Sequence, residues 1–248
     1  LLHLNCFDTD LLGTFTRDIP RNGSQLDAAR KKADLAAQFA NCRFTLSSEG
    51  AFVTDPWSGM LPWNVELILL KDHSTGLEWT GIAQGAAVNN QQIIRNRDEL
   101  AIFAESAGFP EHHLVIRPEH ALHLDCIKDI DNWDALERHY VTMHKKNKSG
   151  QVSIENDLRA HCNPTRQKMI VRAAEDLLSK IHSDCPVCKH PGFWVQELIK
   201  GLPCRVCQRP TEKTKAERWS CPHCQYEDIK IASQETGADP MFCSECNP

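Results

Sequence analysis

Eight of the twelve cysteines lie in the last quarter of the chain as four C-x-x-C pairs: Cys185/Cys188, Cys204/Cys207, Cys221/Cys224 and Cys243/Cys246. A disulfide framework does not need this strict spacing, but a tetrahedral metal does, because a C-x-x-C knuckle brings two thiolates to one ion. Eight thiolates make two four-cysteine sites. Four sulfurs close the coordination shell and leave no place for water, so two structural zinc ions are expected. The pairs could join in sequence order, nested or interleaved, the last resembling a cross-braced module. The nested arrangement is the expectation: residues 208–220 have the length of one ribbon hairpin, and Glu217 to Cys221 reads as a strand entering a knuckle. Cys6, Cys42, Cys126 and Cys162 are scattered.

The second stretch with chemical potential runs from Glu155 to Arg166 and holds acids, Arg159, His161, Cys162 and Arg166. Asn163-Pro164 reads as a helix cap and first helical position. A helix N-terminus flanked by Arg159, His161, Thr165 and Arg166 suits a phosphate or carboxylate. The competing reading is an ordinary capped helix whose arginines meet carboxylates. Far upstream, Glu49-Gly50 follows a strand-like run, and an acid beside Gly at a strand end suits a metal or phosphate as well as a plain turn. The sharpest expectation is that Glu49, Arg159, His161 and Arg166 line one pocket. Glu49 would hold Mg²⁺ there, and the arginines would neutralise phosphoryl charge. Asp8 and Asp10 are candidate partners of Glu49 for the ion, and Thr14 and Thr165 are further candidate contacts. A Glu49–Arg159 ion pair bridging two strands is the alternative. His112, His113, His120 and His123 cluster without a convincing ligand spacing, so no metal is expected from them.

These residues need elements to hold them. Residues 1–7 read as a strand and 8–16 as a polar loop. Ser24 caps a helix to about residue 39, with Asp27 making an imperfect capping box. A strand follows at 43–47, then a hairpin of 65–70 and 77–83 around Asp72-His-Ser-Thr-Gly76. A helix at 97–107, a strand at 113–117, a helix capped by Asp131, a strand at 151–155 and a helix from Pro164 to Ile181 complete the series. The alternation indicates an α/β domain of mixed sheet over residues 1–181, followed by a small double zinc-ribbon domain over 182–248. The tail is too poor in large aliphatics to fold on its own core, so metal must supply the folding energy.

The net charge of −5 gives no electrostatic footprint for nucleic acid. The tail from His182 onward carries eight Lys/Arg against nine Asp/Glu, again a poor match to a polyanion. No apolar run approaches the roughly 20 residues that span a bilayer, and no secretory leader is visible. The cysteine usage then fits a reducing, cytoplasmic compartment. The chain opens on Leu1 rather than Met, so further residues are expected upstream.

Three blocks, Asp8 to Thr16, Ser48 to Phe52 and Asp157 to Arg166, together with the Cys-Pro-Val-Cys188, Cys-Arg-Val-Cys207 and Cys-Ser-Glu-Cys246 knuckles, resemble an uncharacterised bacterial family. That family is a domain of unknown function with a C-terminal zinc ribbon. The layout from Gly13 through the alanine-rich helix to Glu49-Gly50 is also similar to the inosine/xanthosine triphosphate pyrophosphatase superfamily. That second resemblance implies a Mg²⁺-dependent hydrolase of a nucleotide-like phosphorylated substrate, with Glu49 at the acid position. The first strand and phosphate loop of such enzymes are missing from this chain. The alternative reading is a non-catalytic module that binds a nucleotide, an anion or, through the zinc tail, a protein.

Overall fold

The computed structural model describes Leu2 and residues 23–118, 125–232 and 237–247. The chain divides into two compact units, Leu1–Asp176 and Leu177–Pro248.

The first unit holds two sheets. Helix α1 (Gln25–Ala40) starts at Ser24 with a complete capping box. Ser24 Oγ accepts the Asp27 N–H at 3.1 Å, and the Asp27 carboxylate accepts the Ser24 N–H at 3.0 Å. The first sheet is β1 (Phe44–Thr54), β2 (Pro62–Asp72) and β3 (Glu78–Ala86), antiparallel in that order. Its α1 face is built from small and branched residues: Ala29 and Ala33 of the helix pack on Leu67 and Leu69, and Ser47 Oγ donates to the Ala29 carbonyl at 2.8 Å. The hairpin between β2 and β3 is where the Asp72–Gly76 run predicts it. The Asp72 carboxylate accepts the Ser74 N–H and holds Arg43 at 2.7 Å.

Strand β1 is longer than its sequence suggests. The expected end at residue 47 lies inside an eleven-residue strand, because Gly50 continues the ladder opposite Glu66. Glu49-Gly50 is therefore mid-strand, not a loop at a strand end.

The second sheet has the order β4 (Gln91–Ile94), β7 (Val152–Asn156), β5 (Leu114–Pro118), β6 (Ile127–Ile130), again antiparallel throughout. Helices α2 (Arg97–Ser106) and α3 (Trp133–Lys146) supply Leu100, Phe103, Leu136, Tyr140 and Met143 to a core completed by Leu114, Ile116, Val152 and Ile154. Asn96 caps α2. Asn132, rather than the expected Asp131, caps α3, its Oδ1 accepting the Ala135 N–H at 2.9 Å. Helix α4 (Pro164–Ile181) follows β7 after a short 3₁₀ turn, Ala160–Cys162. The helix–strand mixture expected from the sequence is present. Every pairing between its strands is antiparallel, so the crevice beyond parallel strand ends on which a shared Glu49–Arg166 pocket depends does not arise among the described residues.

In the second unit β8 (Trp194–Lys200), β9 (Thr214–Ser220) and β10 (Glu227–Ile231) form an antiparallel meander with β9 in the centre. Among the described residues no helix is long and apolar enough to cross a membrane.

Candidate metal centres

Three of the cysteine knuckles share one backbone design. The N–H four residues after the first cysteine bonds to that cysteine's carbonyl: Lys189 to Cys185, Gln208 to Cys204 and Gln225 to Cys221, at 3.0, 3.0 and 3.1 Å. Those same residues adopt left-handed φ values of 62°, 60° and 61°. The first cysteine's own N–H bonds forward to His190, Arg209 and Tyr226 respectively, at 2.9, 2.8 and 2.9 Å. The fourth knuckle makes the equivalent closing bond from Asn247 N–H to the Cys243 carbonyl at 2.9 Å. The loop thus turns back on itself and aims both sulfurs to one side.

The meander decides which knuckles meet. They occur in turn before β8, between β8 and β9, between β9 and β10, and after β10, so they alternate between the two ends of the sheet. Trp194 pairs with Ser220 and Ser220 with Glu227, which places the first and third knuckles together. Lys200 pairs with Thr214 at the other end. There the Cys204 region bridges to Ala238, and the Arg205 N–H reaches the Ala238 carbonyl at 3.0 Å. The groups are Cys185, Cys188, Cys221 and Cys224, and Cys204, Cys207, Cys243 and Cys246. The pairing is interleaved, and the nested expectation is wrong. Nesting requires the knuckles flanking β9 to meet, although seven strand residues hold them about 20 Å apart at about 3.3 Å each.

The sulfurs are spaced for a common ion. Cys185 and Cys224 Sγ lie 3.7 Å apart and Cys188 and Cys221 Sγ 3.6 Å apart. In the second group the Cys204–Cys246 and Cys207–Cys243 separations are 3.9 and 3.5 Å. A tetrahedron of thiolates about 2.3 Å from a central metal has edges of about 3.8 Å. The cysteines of both groups are free, with separations far beyond a disulfide bond of about 2.05 Å. Backbone N–H groups of Cys207 and Val206 hold the Cys204 thiol down to about 7. At Cys185 burial raises the thiol, but N–H groups of Cys188 and Val187 outweigh it and bring it to about 7. Around the first group Phe193 and Trp219 pack with Tyr226, and His190 stacks on His223 at 4.5 Å across its two knuckles.

In the first unit the predicted phosphoryl pocket is not assembled. Glu49 is buried and ion-paired with Lys32 of α1 at 2.5 Å, on the α1 face of the first sheet. Arg166 reaches the opposite face. Its Nε donates to Glu66 Oε1 at 2.6 Å and its Nη1 to the Leu158 carbonyl at 2.8 Å. Glu66 stands opposite Gly50 in the ladder, and neighbouring residues of a strand point to opposite faces. Glu49 and Arg166 are therefore separated by the sheet. Gly50 is what admits the arginine: a Cβ there would lie 2.3 Å from Arg166 Nη2 and 2.7 Å from Glu66 Oε1.

Arg159 does not pair with Glu49 either. It forms a fork with the buried Asp157, Nη2 to Oδ2 at 2.7 Å and Nε to Oδ1 at 3.0 Å. Burial alone would raise the Asp157 carboxyl, but the Arg159 guanidinium holds it below the usual range. The same fork raises Arg159. His161 is exposed on the 3₁₀ turn. The cap is correctly read from the sequence: Asn163 Oδ1 accepts the Arg166 N–H at 3.0 Å. Thr165 Oγ1 meets His112 Nε2 at 2.9 Å. Both arginines of the supposed anion site thus face internal carboxylates, as the ordinary capped-helix reading has it. Asp8, Asp10 and Thr14 lie outside the described residues.

One cluster has no counterpart in the sequence reading. His113 Nδ1 and Cys162 Sγ both meet Asp129 Oδ1, at 2.7 and 3.2 Å. The three ligand atoms lie within 4.8 Å of one another. The His113 hydrogen bond lowers the Asp129 carboxyl, and burial pushes the Cys162 thiol up. The residues sit 16 and 33 positions apart from Asp129, with no local spacing to reveal them.

A model of the family described as a domain of unknown function, DUF6671, matches residues 32–248. The chain belongs to this family. Comparison with curated proteins and with solved structures gives no match. In this DUF6671 chain the matched span takes in both cysteine groups, Ser48–Phe52 and the Asp157–Arg166 stretch; of the features on which the first of the two sequence resemblances rests, Asp8–Thr16 falls outside it.

Proposed function

We propose that this protein is a zinc-stabilised binding module whose two tail metals are structural. The observation carrying this reading is the pair of interleaved four-cysteine groups, with sulfur separations of 3.5–3.9 Å. Among first-row ions an all-thiolate tetrahedron suits zinc and iron, and a closed shell without a water position suits a structural rather than a catalytic role.

The binding part of the proposal draws on the hairpin tip between β1 and β2. Trp57, Met60 and Leu61 are exposed there, although the loop is firmly built. The buried Asp55 carboxylate accepts N–H groups from Trp57, Ser58, Met60 and Leu61 at 2.7–3.1 Å. A tip fixed from inside and apolar outside suits contact with another molecule better than it suits stability.

Hydrolysis of a nucleotide-like substrate on Mg²⁺ is the competing reading, and it has less support. Glu49, Arg159 and Arg166 are each engaged with an opposite charge of the protein, and Glu49 lies across a sheet from Arg166. Incubating the purified chain with a panel of nucleoside phosphates and Mg²⁺ tests the choice. No turnover above a metal-free control is expected. Turnover that vanishes in Glu49→Gln would overturn the binding reading.

A further inference from the structure

We infer that His113, Asp129 and Cys162 form a third metal site, distinct from the two tail sites, that takes a zinc-like divalent ion with one coordination position open to solvent.

The donor set is the first argument. An imidazole nitrogen, a carboxylate oxygen and a sulfur, all within 4.8 Å of one another, match the mixed ligands of a transition-metal site rather than those of Mg²⁺ or Ca²⁺, which take oxygen. The hydrogen bonds give the second. His113 Nδ1 and Cys162 Sγ both aim at the single atom Asp129 Oδ1. Their lone pairs would therefore converge near that oxygen once the proton between each pair is gone. Loading a divalent ion M²⁺ balances: the Cys162 thiol releases one proton to solvent, neutral His113 carries its single ring proton on Nε2 instead of Nδ1, and the ion takes the vacated place.

The backbone is set for this convergence. Asp129 holds a left-handed φ of 64°, a conformation that non-glycine residues adopt uncommonly, and the fold must maintain it. It does so through the Asp129 N–H, which donates to Asp157 Oδ2 at 3.1 Å. Asp157 is itself fixed by Arg159. His113 is tied on both sides, its N–H to the Cys162 carbonyl at 3.0 Å and its carbonyl to the Asp157 N–H at 2.8 Å. Asp157 and Arg159 thereby act as the outer support that orients metal ligands. Cys162 is fully buried, whereas the Asp129 side chain is 52% exposed. The site has a closed floor and an open mouth, the arrangement that leaves a fourth position for water or a ligand atom.

The test is a titration of the full chain with Zn²⁺ after dialysis against a chelator of moderate strength. Wild type is compared with Asp129→Asn and His113→Gln. Asparagine tolerates the left-handed backbone, so Asp129→Asn removes the charge and spares the turn. Wild type should bind one equivalent more than either variant, or bind that equivalent at least tenfold more tightly. This difference reads the site alone, whatever the tail holds. Equal uptake by all three proteins, with or without a third equivalent, would overturn the assignment, because any extra ion would then be adventitious. Circular dichroism spectra matching wild type would confirm that the variants are folded.

Discussion

Arg166 and Gly50 show how a residue chosen for chemistry can turn out to serve architecture. A buried guanidinium must have a carboxylate, and Glu66 provides one through a gap that only glycine leaves open. Removing one partner of such a pair costs about 3–5 kcal/mol, because the other charge stays buried and unpaired. Arg166→Met and Gly50→Ala should therefore both lower the stability of the first unit in chemical denaturation, the former by about that amount. If Arg166 instead awaited an anion, Arg166→Met would leave stability nearly unchanged and abolish a phosphate-induced rise in melting temperature. At this scale the sequence was most legible where chemistry is local. The eight metal-directed cysteines and the Asn163 cap follow from spacing alone. Glu66 and Asp129 carry no such mark. Their importance arises from residues 100 and 16 positions away, respectively.

At the scale of elements, strong periodicity or clear caps made α1, α2, α4 and the β2–β3 hairpin readable. The four-residue strands β4 and β6 were not readable, because charged and polar side chains such as Gln91, Gln92, Lys128 and Asp129 break up their apolar pattern. Strand β1 reads from sequence as ending before Glu49-Gly50, since a glycine inside a strand reads as a break until its tertiary reason is known. The β1–β2 tip is a second case in which local sequence and role diverge. Trp57 stands edge-on to Trp63 at 5.1 Å yet is 78% exposed, and Met60 is 80% exposed. Replacing Trp57 and Met60 together by Ser should change unfolding free energy by less than about 1 kcal/mol, as surface substitutions do. A larger loss would mean the tip packs on part of its own chain and is not a free binding surface.

At the scale of the whole molecule, the two units draw stability from different sources. The first has apolar cores around Leu69 and around Ile116. The second has a small aromatic cluster at one cysteine group, and on the proposed reading metal held by its two four-cysteine groups supplies the rest. The two four-cysteine groups are legible from spacing, but the wiring of the tail is not, because ligand pairing depends on the strand order of the meander. Cadmium NMR of the cadmium-substituted protein tests this wiring most directly. Two resonances in the all-thiolate region are predicted. Cys188→Ser and Cys224→Ser should each perturb one of them, and Cys207→Ser and Cys246→Ser the other. A single all-thiolate resonance, or a spectrum in which Cys188→Ser and Cys246→Ser perturb the same one, would contradict the account.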